Sequence, residues 1–64
     1  MQKPFTLNRV DRWTGEVSTL LFKTKHRAVA VAAEEVLWES TGWVTVTDAR
    51  TGEDLFDEGG SFLS

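Results

Sequence analysis

The chain contains no cysteine, and this absence removes two devices that commonly hold small proteins together. Without thiols, neither a disulfide nor a thiolate zinc site can form. A chain of 64 residues also buries only about 60% of the surface that its unfolded form exposes. We therefore expect a single domain over residues 1–64, stabilised by a compact apolar core or by oligomerisation.

Long apolar runs are also absent. No stretch approaches the roughly 20 residues that span a bilayer. Residues 1–5 lack the apolar core of a signal peptide. The chain starts with Met and carries no obvious tag, so we expect a complete small protein. Together with the missing cysteine, these features predict a cytoplasmic protein that does not contact a membrane.

Residues that carry chemistry are scarce. His26 is the single histidine, so no histidine pair has the spacing of metal ligands. The acidic residues lack the spacing of a calcium-binding loop, and no glycine-rich stretch is suited to cradling a phosphate. So short a chain also leaves little room for a catalytic cleft. We expect a non-enzymatic protein without a cofactor or a metal ion.

The strongest pattern in the chain is a repeated string, D-x-x-T-G-E. It occurs at Asp11–Glu16 and again at Asp48–Glu53, each time between runs of β-forming residues. In each copy glycine can take the positive φ that closes a four-residue loop, and the Asp carboxylate can accept N–H groups inside the turn. The two copies could form a paired binding site. Turn chemistry accounts for every shared residue, however, and favours two hairpin loops.

The order of elements predicted from this repeat is ββαββ. We expect an α+β fold in which a four-stranded, mainly antiparallel sheet carries one helix on one face, with the strand order undetermined. The helix begins after an N-cap at Thr24 and is stopped by Gly42. Residues 59–64 have the composition of a flexible tail, although Phe62 and Leu63 are able to dock. The predicted strands cover residues 5–11, 16–22, 43–48 and 53–57, and the helix covers residues 25–40.

Periodicity predicts which faces are buried. The helix should pack on the sheet through Val29, Ala30, Ala33, Val36, Leu37 and Ser40, with Val31 and Trp38 on the opposite side. The first loop sets a register in which Val10 faces Val17, Leu7 faces Leu20 and Phe5 faces Phe22. In the second hairpin Val46 should face Leu55. One helix covers one face, so the other should expose an apolar patch: Val10, Val17, Leu21, Trp43 and Phe56.

Charge is unevenly distributed along the chain. The net charge is −3, but most basic residues lie in residues 1–33 and most acidic residues in residues 34–64. The helix also carries basic residues near its start and acidic residues near its end, opposite to what its dipole favours. Packing can override that preference. Alternatively, the acidic patch is kept for a partner with a basic surface.

We therefore expect a protein-binding module. A small, acidic, cysteine-free chain resembles accessory proteins of phages and mobile elements, a resemblance based on size and charge over the whole chain. Some of these, including anti-CRISPR proteins, act as inhibitors that occupy a basic, nucleic-acid-binding groove, as a DNA mimic does. The residues predicted to contact such a partner are aromatic or acidic: Trp13, Glu34, Glu35, Trp38, Glu39, Trp43, Asp54, Phe56, Asp57 and Glu58.

Two other functions fit the sequence. The chain could be a homodimeric structural module that buries its open sheet face against a second copy. It could instead bind single-stranded nucleic acid through basic residues interleaved with aromatic ones. The acidic composition, with a pI near 4.9, and the lack of an RNP-like motif argue against direct nucleic-acid binding. The residues of that basic surface would be Lys3, Phe5, Arg9, Arg12, Trp13, Phe22, Lys23, Lys25 and Arg27.

Overall fold

The computed structural model describes residues 3–61, and its four strands form one antiparallel sheet in the order β2-β1-β3-β4. Both neighbours of β1 are antiparallel to it, so β2 and β3 run in the same direction and need a crossover. Helix α1 supplies that crossover and packs on the sheet, which confirms the predicted ββαββ fold. The elements are β1 (Phe5–Asp11), β2 (Val17–Phe22), α1 (Lys25–Glu35), β3 (Thr41–Asp48) and β4 (Glu53–Gly59).

The register predicted for the first hairpin is correct. Val10 pairs with Val17, Leu7 with Leu20 and Phe5 with Phe22. Alternation along β1 then turns Phe5 and Leu7 toward the helix, where both are buried.

The register predicted for the second hairpin is wrong, because the β3–β4 ladder shifts between Val46 and Thr47. Val46 therefore pairs with Phe56 instead of Leu55. The shift places Phe56 on the helix side of the sheet, and both Leu55 and Phe56 pack against the buried core. A bulge lets two consecutive apolar residues serve the same face, which strict alternation does not allow. Phe56 is thus not part of the open face.

Helix α1 starts as predicted but is shorter than predicted. The Thr24 hydroxyl accepts the N–H of Arg27 at 3.3 Å, as an N-cap does. The helix ends at Glu35 with Val36 as its C-cap, and Gly42 lies inside β3. The main-chain N–H of Arg12, after β1, donates to the carbonyl of Ser40 at 2.8 Å. The chain must therefore leave the helix early enough to enter the sheet at residue 41.

The buried face of the helix also differs from the prediction. Ala28 and Ala32 are fully buried, Glu35 and Val36 are buried, and Val31 packs against the core. Residues 28–33 read A-V-A-V-A-A, so small apolar side chains occur on every side and the pattern defines no single face. The predicted face relied on Leu37 and Ser40, which lie beyond the helix end.

The end of β4 makes main-chain contacts with β3 and the helix end, in residues 59–61 of the segment that the sequence predicts to be a flexible tail. Gly59 belongs to β4, and Gly60 donates to the carbonyl of Gly42 at 2.9 Å. Ser61 donates its N–H to the carbonyl of Val36 at 3.0 Å and so satisfies one acceptor that the helix end leaves open. A Cβ at Gly60 would lie 2.0 Å from the carbonyl oxygen of Thr41, so this approach requires glycine. Phe62 and Leu63 lie outside the described residues.

All five elements meet in one core between the helix and the sheet. Its centre is made by the two inner strands, whose side chains Leu7, Val44 and Val46 are fully buried. The small residues Ala28 and Ala32 bring the helix close to these strands. In the described part of the chain, the opposite sheet face carries no helix and is the larger candidate surface.

Candidate binding surfaces

The first D-x-x-T-G-E string is a hairpin loop whose shared residues each make a turn contact. The Asp11 carboxylate accepts the N–H groups of Trp13 at 2.8 Å and Thr14 at 2.9 Å. The Thr14 hydroxyl accepts the N–H of Glu16 at 3.2 Å, and Gly15 has a φ of 77°. The hydrogen bonds that Asp11 accepts from these two main-chain N–H groups lower its pKa, and the bond from Thr14 has the larger effect.

The second string repeats this geometry. Asp48 accepts the N–H of Arg50 at 2.9 Å, the Thr51 hydroxyl accepts the N–H of Glu53 at 3.2 Å, and Gly52 has a φ of 76°. The Arg50 guanidinium also contacts the Asp48 carboxylate at 3.1 Å, and this contact is the main cause that lowers the pKa of Asp48. The prediction that both strings are turns is confirmed. The sequence did not predict the role of the threonine, whose hydroxyl accepts the N–H of the glutamate two residues later.

The two loops lie at opposite ends of the sheet. The first follows the end of β1 and the second follows the end of β3, and these strands are antiparallel, with Phe5 opposite Asp48. The molecule measures 33 Å along its longest axis. The alternative that the loops form one paired site is therefore wrong.

The predicted acidic patch on the helix loses one member. Glu34 and Glu39 are exposed, but the side chain of Glu35 is only 6% exposed and lies 3.8 Å from Arg9. Burial raises the pKa of Glu35, and the positive charge of Arg9 opposes this only in part. Glu35 thus belongs to the interior and is not available as a surface contact.

Arg9 is a structural residue that the sequence prediction assigned to a basic surface. Its guanidinium donates to the Thr41 hydroxyl at 3.0 Å, contacts the Ser40 hydroxyl and lies 5.2 Å from the centre of the Trp38 ring. The guanidinium of Arg9 thus covers part of the Trp38 ring, and the Trp38 residue is 46% exposed. Arg9 follows Phe5 and Leu7 in the alternation of β1, and this position was the available signal that it faces inward.

Trp13 is a second exposed aromatic residue. It is 62% exposed at the tip of the first loop, and the guanidinium carbon of Arg12 lies 5.2 Å from the centre of its ring. Arg12 also donates to the main-chain carbonyl of Glu39 at 3.2 Å. Turn geometry does not require a tryptophan here, so Trp13 stays a predicted contact residue.

The open sheet face combines one apolar row with polar rows. Val17, Val10, Trp43 and Gly59 lie side by side across the four strands. The next row toward the sheet centre is polar: Thr19, Asn8, Thr45 and Asp57. Leu21 is exposed on the same face, but it is separated from Val17 by Thr19. The predicted open patch therefore keeps four of its residues and is divided into two parts.

Trp43 is held in place at the end of this row. Its indole N–H donates to the Asp57 carboxylate at 2.5 Å, and its ring lies against Gly59, where a Cβ would come within 3.0 Å of it. The side chain is still 46% exposed. A tryptophan fixed by its neighbours loses little conformational entropy when a partner binds, and such residues are frequent at the centres of interfaces.

The outer edge next to Trp43 is acidic. Strand β4 is an edge of the sheet, and its carboxylates are exposed. Asp54 and Asp57 lie on the open face, where they accept hydrogen bonds from Thr47 at 3.2 Å and from Trp43 at 2.5 Å. Glu58 pairs with Val44 and projects on the helix side. With Glu53 at the start of the strand, carboxylates line both sides of this edge.

Of the basic and aromatic residues named for single-stranded nucleic acid, the structure brings together only a part, because Lys3, Phe22, Lys23 and Arg27 line one groove and the others lie elsewhere. Phe5 is buried, with the Arg50 guanidinium 5.1 Å from its ring, and Arg9 is tied to the helix end. Arg12 and Trp13 lie beyond the end of β1, whereas Lys3 precedes its start. The predicted groove would therefore have to cross the length of the sheet.

Within residues 3–61, no group of three or more His, Asp or Glu side chains is placed to hold a metal ion, and no helix there has the length and apolar character needed to cross a membrane. No family model, curated protein or solved structure matches the chain.

Proposed function

We propose that this chain is a non-enzymatic binding module that presents strand β4 and Trp43 to a basic surface of another protein. The observation that carries this proposal is the line of exposed carboxylates along β4, next to a tryptophan fixed by Asp57. Arginine side chains can pair with such carboxylates and stack on the indole ring.

The partner suggested by this chemistry is a cytoplasmic protein that binds nucleic acid. Its phosphate-binding groove would carry arginine and lysine side chains at intervals, and carboxylates along a strand would occupy the places of phosphates. Binding would then inhibit the partner in the manner of the phage-encoded anti-CRISPR proteins that act as a DNA mimic. The charge of β4, and not its hydrogen-bonding edge alone, would determine affinity.

Capture from a lysate of the source cells tests the proposal with two matched variants. The first variant carries Asp54→Asn, Asp57→Asn and Glu58→Gln; the amide introduced by Asp57→Asn still provides an oxygen for the Trp43 N–H. The second carries Glu16→Gln, Glu34→Gln and Glu39→Gln, exposed residues outside β4. Both remove the same formal charge, so they differ only in where the charge is lost.

We expect wild type and the second variant to capture the same proteins, and heparin to release them because it competes for a basic groove. The β4 variant should capture at least tenfold less. Equal loss in both variants would show that net charge alone is responsible. Capture that survives heparin and 0.5 M salt would contradict an electrostatic surface.

A further inference from the structure

Within residues 3–61, strand β2 forms the other edge of the sheet, and its sequence lacks the residues that usually protect an edge. It reads V-S-T-L-L-F, with no charge, no proline and no glycine. Val17 is 62% exposed, Leu21 53% and Leu20 46%, so apolar side chains face solvent on both sides of the strand. Native sheets usually blunt a free edge with charged residues or proline, as the carboxylates of β4 do here.

Among the residues that the structure describes, β2 pairs on one side only, and its main chain offers positions for a further strand on the other side. Asp11 donates to the carbonyl of Glu16 at 2.8 Å, which fixes the alternation of the β1–β2 ladder. Ser18, Leu20 and Phe22 then bond toward β1. The N–H and C=O groups of Val17, Thr19 and Leu21 point away from β1, to the outer edge.

We infer that β2 pairs antiparallel with β2 of a second copy of this chain, which joins the two sheets into one of eight strands. This surface is distinct from the proposed β4 surface, and the inference does not depend on it. A two-fold axis at Thr19 places the Thr19 residues of both copies opposite each other. Val17 of each copy then lies opposite Leu21 of the other.

This pairing complements the side chains as well as the main chain. The exposed Val17 and Leu21 become directly opposed neighbours on the open face, with Cβ atoms about 5 Å apart. The strand is preceded by Glu16 and followed by Lys23. Antiparallel alignment brings the acidic start of one strand beside the basic end of the other, whereas parallel alignment would bring like charges together.

The assembly closes at two copies. Both β2 edges are consumed by the two-fold contact, and the outer edges of the new sheet are the two acidic β4 strands, which repel each other. The carboxylates of β4 and both Trp43 side chains stay exposed at the far ends of the sheet.

Sedimentation of the full chain tests the inference. Between 1 and 200 µM we expect wild type to reach twice the mass of one 7.2 kDa chain. Thr19→Lys places two positive charges on the two-fold axis and should weaken association at least tenfold, with an unchanged circular dichroism spectrum. Asp54→Lys, on the opposite edge, is the control and should remain dimeric. A monomeric wild type, a mass above the dimer or a dimer insensitive to Thr19→Lys would overturn the inference.

The lack of cysteine permits a second, geometric test. In the proposed pairing the two Thr19 Cα atoms are about 5.5 Å apart, a separation that a short bifunctional thiol reagent can bridge. Thr19→Cys should therefore form a covalent dimer with such a reagent. Thr45→Cys, at the centre of the open face, should not. Preferential cross-linking through position 45 would instead place the contact on the open face, and cross-linking of neither would overturn the pairing of β2 with its copy.

Discussion

At the residue scale, the carboxylates of this chain occupy two opposite environments. Asp11 and Asp48 lie in loops where N–H groups and, for Asp48, the Arg50 guanidinium stabilise the charged form. Glu35 is buried, and its nearest positive charge, on Arg9, is 3.8 Å away. The first environment lowers the pKa of a carboxyl group, and the second raises it.

These environments predict opposite effects of acid in two variants. Asp48 has a folded-state pKa below its ordinary 3.8, so its stabilisation is present above that pH and is lost as the pH falls further. The melting-temperature advantage of wild type over Asp48→Asn should therefore shrink below about pH 4.

Glu35 has a folded-state pKa above its ordinary 4.5, so the folded state binds its proton more tightly. The melting temperature of wild type should therefore rise relative to that of Glu35→Gln as the pH falls from 7 toward 4.5. Parallel trends in thermal unfolding of the two variants would contradict these assignments.

At the scale of elements, the end of the helix is fastened to the sheet by one side chain. Arg9 reaches from β1 to Glu35 at the helix end, to the Trp38 ring, and to the hydroxyls of Ser40 and Thr41 at the start of β3. The guanidinium also places a positive charge at the negative end of the helix dipole. This compensates for the acidic residues that the sequence carries there.

Removal of Arg9 should therefore leave an uncompensated buried carboxylate. We expect Arg9→Met to lower the free energy of unfolding by about 3 kcal/mol, the cost of breaking a buried ion pair from one side. The double variant Arg9→Met with Glu35→Met should recover most of this loss, because no buried charge remains. Urea denaturation at pH 7 measures both. If the double variant is no more stable than the single one, the contacts of Arg9 with the hydroxyls and the ring contribute more to the free energy of unfolding than its ion pair with Glu35.

At the scale of the whole molecule, the sheet has a protected centre and two unlike edges. The inner strands β1 and β3 carry the largest fully buried side chains, and the helix lies against them. One outer strand, β4, is acidic, whereas the other, β2, is uncharged and exposed. The two proposals therefore use opposite edges, and a dimer through β2 would leave β4 free.

Amide hydrogen exchange should follow this arrangement. In monomeric Thr19→Lys, we expect amides of β1 and β3 to exchange slowest and those of Val17 and Leu21 to exchange rapidly, because they point to solvent. In wild type at high concentration, the amides of Val17, Thr19 and Leu21 should become protected. Slower exchange in α1 than in β1 would show that the sheet is not the most stable part of the fold.

The sequence by itself determined the fold class and the geometry of both loops. Glycine at the fourth loop position and aspartate before the loop have local physical roles, so Gly15 and Gly52 could be assigned without knowing the rest of the molecule. Register followed from the first loop, since a hairpin fixes its pairing at the turn. The open face was correctly placed for Val10, Val17 and Leu21 for the same reason, and for Trp43 because side chains alternate along β3.

Other features were decided only by the tertiary structure, because in them long-range constraints compete with local ones. The bulge at Val46 turned Phe56 inward, and the only sequence signal was the adjacent pair Leu55–Phe56. Helix α1 ended at Glu35 because the following residues had to enter β3, and this hid Glu35 beneath Arg9. Strand order also depended on pairing between distant segments, which local propensity does not encode. That order made β2 and β4 the two edges, on which both proposed contacts depend.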